Sequence, residues 1–79
     1  MSIVKTGEKD TITVNALNAL SKAFFNTDAD KSILYGKKAI DISTQLNFKT
    51  GLAYAFKHTG IGYFNKGDYK EALKNYQSS

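Results

Sequence analysis

Seventy-nine residues make one small domain or a piece of a larger one, and a chain of this size buries only roughly 60–65% of its unfolded surface. The absence of cysteine excludes a disulfide framework and a thiolate metal site, and no apolar run is long enough for a transmembrane helix. Eleven Lys/Arg against seven Asp/Glu give a net charge of +4, but Lys31, Lys37, Lys38, Lys66, Lys70 and Lys74 are scattered as on solvated helix faces.

Residues Met1 to Asp10 are polar and read as a loose N-terminal arm, with Asp10 or Thr11 as a helix N-cap. Met1 to Glu8 lacks the apolar core of a signal peptide, so the compartment expected is the cytoplasm. Ile12, Ala16, Ala19, Leu20, Ala23 and Phe24 recur at three- and four-residue steps and predict an amphipathic helix to about Phe25. Val14, Leu17 and Phe25 form a second apolar face, which predicts packing on both sides.

Asn26-Thr27-Asp28 is a break, with Thr27 and Asp28 as N-cap candidates. Ile33, Leu34, Ala39, Ile40, Ile42 and Leu46 carry a second helix from about Asp30 to Leu46, and Gly36 within it marks a close helix contact. Asn47-Phe48-Lys49 reads as a tight turn with Asn47 left-handed. A third helix follows Thr50-Gly51 through Leu52, Ala55, Phe56, Thr59, Gly60 and Tyr63. Asn65 to Asp68 breaks it, with Gly67 left-handed and Asp68 as N-cap of a fourth helix that presents Ala72, Leu73 and Tyr76 on one face.

The two halves repeat. Aligning Ser32 with Ala72 and Leu20 with Gly60 sets them forty residues apart. In the second half an aromatic (Phe56) precedes a glycine (Gly60) by four residues, and Tyr63 follows that glycine by three. Ala72 and Tyr76 stand four apart in the last helix, after the turn Gly67-Asp68-Tyr69. This pattern resembles the tetratricopeptide repeat (TPR), with Thr59 where leucine is expected and a repeat longer than the usual ~34 residues. Ala16, Ala19, Leu20 and Ala23, then Ser32, Gly36 and Ala39, hold the matching positions in the first half. The resemblance implies an all-α, right-handed α-solenoid of two TPR-like helix-turn-helix units with four antiparallel helices. Unit one would span 11–46 and unit two 49–79, as part of a longer array of the kind found in bacterial regulators and sensors.

Chemistry is sparse. His58 is the sole histidine and reads as an ordinary helix-face residue. Gly60-Ile61-Gly62 lacks the third glycine of a dinucleotide loop, and Asp68 replaces the lysine of a phosphate loop at Gly62 to Gly67. Asp28, Asp30 and Asp41 lack the glycine and distal glutamate of a calcium loop. No nucleophile–base or acid–base pair is visible, so no catalytic residue, cofactor or metal is expected. The tyrosines lie at packing offsets instead of interleaving with basic residues, so no nucleic acid is expected either.

The resemblance to the TPR family implies a protein-interaction module. The resemblance implies a concave groove for a peptide or helix, lined by Leu17, Ser21, Phe24 and Phe25 in the first unit and Tyr54, Lys57, Ile61, Phe64 and Asn65 in the second. Lys57 matches the lysine of a carboxylate clamp, but Ile61 stands where its asparagine is expected, which points to an apolar or amphipathic segment instead. The last helix would leave Leu73 and Tyr76 open to a neighbour, so self-association through that face is a second expectation. A third is that the module serves as the regulatory input of a larger bacterial signalling enzyme such as a histidine kinase.

Overall fold

The computed structural model describes residues 11–78. The expected N-terminal arm at 1–10, the capping role of Asp10 and Ser79 lie outside the described residues. Four helices follow in order: α1 (Thr11–Phe24), α2 (Ala29–Leu46), α3 (Lys49–Lys66) and α4 (Tyr69–Ser78). There is no strand among the described residues.

The turn chemistry sets the boundaries. Asp28 caps α2 by accepting from the Lys31 amide at 3.2 Å, and Asp68 does the same for the Glu71 amide at 3.3 Å. Asn47 closes α2 in the left-handed region (φ 54°), and the amides of Asn47 and Phe48 donate back to the carbonyls of Thr44 and Ser43. Gly67 (φ 95°) closes α3 in the same way, with Gly67 and Asp68 donating to Phe64 and Tyr63. Asn65 and Lys66, expected in the break, are the last helical residues of α3.

The packing is sequential: α1 on α2, α2 on α3 and α3 on α4, with α1 also meeting α3. The backbone of α4 stays clear of α1 and α2. The result is an elongated all-α body of 43 × 24 × 14 Å.

The interior is built from small and hydroxyl-bearing residues. The largest fully buried side chains are Val14, Thr59, Ser21, Ser32 and Ser43, joined in the interior by Ala39, Ala55 and Ala72. Ser21 and Ser32 lock α1 to α2 reciprocally. Ser21 Oγ donates to the Ser32 carbonyl at 2.8 Å, and Ser32 Oγ donates to the Ser21 carbonyl at 2.7 Å. Each such bond is worth about 1 kcal/mol net, and leaving a buried hydroxyl unpaired costs more. Gly36 lies at the same junction. A Cβ there would fall on the Thr59 hydroxyl and reach to 3.2 Å from Ser21 Oγ. Thr59 Oγ1 donates to the Ala55 carbonyl one turn back (2.7 Å), so its hydroxyl is satisfied within α3.

This junction corrects the reading of α1. Its buried residues are Val14, Asn18 and Ser21, whereas Ile12, Ala16, Ala19, Leu20 and Ala23 face outward. The reason is steric: α1, α2 and α3 approach too closely around Gly36 to admit a side chain larger than threonine. Apart from Phe24, which is half-buried against α2, the apolar stripe of α1 therefore lies on the side away from its partners. Leu34 and Leu46 of α2 are also exposed, while Ser32, Gly36 and Ser43 are buried. The stripe predicted for α3 holds better, with Ala55, Thr59 and Gly60 buried and Leu52, Phe56 and Tyr63 half-buried.

Gly36→Ala is expected to lower stability by about 1–2 kcal/mol in urea unfolding. Because the added Cβ falls on the Thr59 hydroxyl, the overpacking cost lies in the upper part of the usual range, about 2–3 kcal/mol, and outweighs the ~1 kcal/mol gain in helix propensity. Adding Thr59→Ala should recover part of that loss, because the two changes share one contact. A Gly36→Ala chain as stable as its parent would contradict the packing.

Candidate functional site

Helices α1 and α3 lie side by side and run in the same direction. Val14 and Asn18 of α1 meet Gly51 near the start of α3, and Phe25, just past the end of α1, meets His58 and Asn65 further along α3. Two asparagines hold this alignment. Asn18 Nδ2 donates to the Gly51 carbonyl at 3.1 Å. Asn65 Nδ2 donates to the Phe25 carbonyl and, at 3.2 Å, to Asn26 Oδ1.

Between these clamps lies an aromatic cluster. His58 meets Phe25 edge-on, with ring centroids 6.2 Å apart and planes at 62°. Tyr54 lies one turn before His58 and stacks on it at 6.2 Å and 19°. The imidazole is only 8% exposed, whereas Tyr54 is 53% exposed and forms the outer surface of the cluster. His58 Nδ1 is buried and has no hydrogen-bond partner among the described residues. Burial pushes the His58 pKa below its ordinary 6.5, and the Lys57 and Lys22 ammonium groups push it the same way. The site is thus a neutral imidazole between two rings, flanked by two cations.

The nine expected groove residues divide among several surroundings. Phe25, Tyr54 and Asn65 come together on the α1–α3 face, with Lys57 close enough to act on His58. Ser21 is fully buried between α1 and α2 and offers no accessible surface. Phe24 turns toward α2, stacking on Tyr35 at 5.9 Å with the Lys31 ammonium 5.3 Å from its centroid. Phe64 faces the start of α4 and meets Tyr69 at 5.1 Å. Leu17 and Ile61 are half-buried on α1 and α3.

His58, Lys22 and Asn18 are the members of this face that the sequence reading left out. The four-residue step from Tyr54 to His58 was the available signal, since it stacks the two on one side of a helix.

A depression of about 230 Å³ lies between α2 and α4 over α3. It is lined in part by Phe56, Tyr63, Lys37 and Lys74. The Lys37 ammonium stands 5.7 Å from the Tyr63 ring centroid, and Lys74 pairs with Glu71 at 3.5 Å. Among the described residues no three His, Cys, Asp or Glu side chains gather to hold a metal, and no helix is long and apolar enough to cross a membrane.

Set against protein-family models, curated proteins and solved structures, the chain finds no match.

The sign of the His58 shift fixes a pH dependence. The unfolded chain takes up this proton at a higher pH than the folded chain, so folding stability rises with pH through that window. The contribution is complete above pH 6.5 and is lost as pH falls from there toward the lowered native value. His58 is the only histidine, and most carboxylates stay ionised above about pH 5. Thermal unfolding between pH 7.5 and 5.5 should therefore show a falling midpoint in the parent chain and a flatter profile in His58→Gln. Equal slopes would show that His58 is not the titrating group.

Proposed function

We propose that the chain is a stack of two TPR-like helical hairpins arranged as a right-handed solenoid, and serves as a non-catalytic protein-interaction module. Its α1–α3 face takes an apolar or amphipathic peptide or helix. The stacking is supported by equivalent contacts in the two hairpins. Ser21 meets Ser32 and lies against Gly36, while Gly60 lies against Ala72 and Tyr76. A Cβ on Gly60 would stand 2.8 Å from Tyr76 Cε1 and 3.3 Å from the Ala72 carbonyl oxygen. The second helices thus correspond at forty residues, as the sequence alignment has it. The first helices correspond at thirty-nine, with Ser21 and not Leu20 in the place of Gly60. The parallel course of α1 and α3 is what such stacking requires of successive first helices.

The observation that carries the functional reading is the Phe25–His58–Tyr54 cluster. It draws residues from both hairpins onto one face, ends in an exposed tyrosine, and holds a buried ring nitrogen without a partner. Aromatic anchors of this kind supply most of the energy at protein interfaces. Lys22 and Lys57 at its edge favour acidic residues in the bound segment. His58 faces aromatic rings and ammonium groups, and none of these orients it as a general base.

Peptides selected on the parent chain from a displayed random library provide the test. Tyr54→Ala should weaken the selected peptides at least about 10-fold in fluorescence anisotropy, the scale of one interface anchor. Phe24→Ala and Phe64→Ala, whose rings point to α2 and α4, should leave affinity within about twofold. A library that enriches nothing, or peptides indifferent to Tyr54→Ala, would refute the assignment.

A further inference from the structure

The equivalence between the hairpins also identifies what the two outer helices lack. Helix α2 is covered by α3: Ile33 and Ser32 lie over Gly62, and Gly36 lies over Thr59. Moving forty residues along the second helices puts Leu73 in the place of Ile33. Ile33 is 8% exposed and Leu73 is 56% exposed. Moving thirty-nine residues back along the first helices puts Ala16, Leu20 and Ala23 in the places of Ala55, Thr59 and Gly62. The three on α3 are buried and the three on α1 are exposed. Helix α4 therefore carries an uncovered version of the α2 surface, and α1 carries an uncovered version of the α3 surface that receives α2.

We infer that these faces bind each other between copies of the chain, α4 of one copy lying on α1 of the next. The inference rests on the stacked-hairpin reading and not on the peptide face. The interface continues the one already formed by α2 and α3. Leu73 of one copy covers Ala23 of the other, as Ile33 covers Gly62. Leu20 meets the exposed part of Tyr76, the residue in the place of Gly36. Both of these side chains are large, so α4 and α1 ride further apart than α2 and α3. Because two different faces meet, the contact is heterologous and does not close at a dimer.

Sedimentation velocity of the 79-residue chain over a wide concentration range tests this. The parent's average mass should rise continuously, without a plateau at two copies. Leu73→Lys, which spoils the tail, and Leu20→Lys, which spoils the head, should each remain a single copy where the parent averages two or more. Both sites are exposed, and retained helicity in circular dichroism confirms folding; Ala23→Lys serves as a second head variant. An equimolar mixture of Leu73→Lys and Leu20→Lys should form a 1:1 dimer and nothing larger, since one intact head and one intact tail remain. Three outcomes overturn the inference: a parent that stays monomeric throughout, head variants that associate like the parent, or a mixture that does not pair. None of the variants alters Phe25, Tyr54 or His58, so loss of self-association and loss of peptide binding are separable.

Discussion

The structure depends on how closely three helices approach at one point. Ser21, Ser32, Gly36 and Thr59 meet where α1, α2 and α3 converge, and no side chain there is larger than threonine. A hydroxyl in such a place must find an acceptor, because an unpaired one costs about 1–3 kcal/mol. The two serines bond to each other's backbone carbonyls, and Thr59 bonds within its own helix. Geometry and hydrogen bonding thus agree on the same residue types. Small hydroxyl residues permit the approach and lose little by burial once paired.

From that constraint follows the distribution of bulk. A junction lined by serine, threonine and glycine has no room for leucine or phenylalanine, so the large side chains move to its margins. On the α1–α3 side they gather as Phe25, His58 and Tyr54, held in register by Asn18 and Asn65. Elsewhere they form the Phe24–Tyr35 and Phe64–Tyr69 pairs and the outward stripe of α1. The aromatic α1–α3 face and the tight interior are two results of one packing constraint.

This also explains what the sequence disclosed. Helix boundaries were legible because their determinants are local: an aspartate cap at Asp28 and Asp68, a left-handed residue at Asn47 and Gly67. The inward face of α3 was legible because Ala55, Thr59 and Gly60 are small and follow helical spacing. The inward face of α1 was not, since Asn18 and Ser21 count as polar until their partners on other helices are known. For the same reason, nine groove positions inferred from a repeat pattern fell into different environments. Under the proposed stacking, Ala72 corresponds to Ser32 as the sequence alignment has it, and Gly60 to Ser21 instead of Leu20. The second hairpin has one more residue between equivalent contacts, and α3 absorbs it by remaining helical to Lys66.

The unequal cover of the helices sets where the body is firm. Helix α2 packs on both α1 and α3, and α3 touches all the others, whereas α4 rests on α3 alone. Ala72 is the one buried residue of α4, and Glu71 and Asn75 beside it are only partly covered. A ten-residue helix has little stability of its own in water, so the order of α4 depends on this single contact strip. Covering its exposed face with a second helical surface would secure α4 as α3 secures α2. Association at that face and ordering of α4 are therefore linked, and anything that binds the ordered helix there also stabilises it.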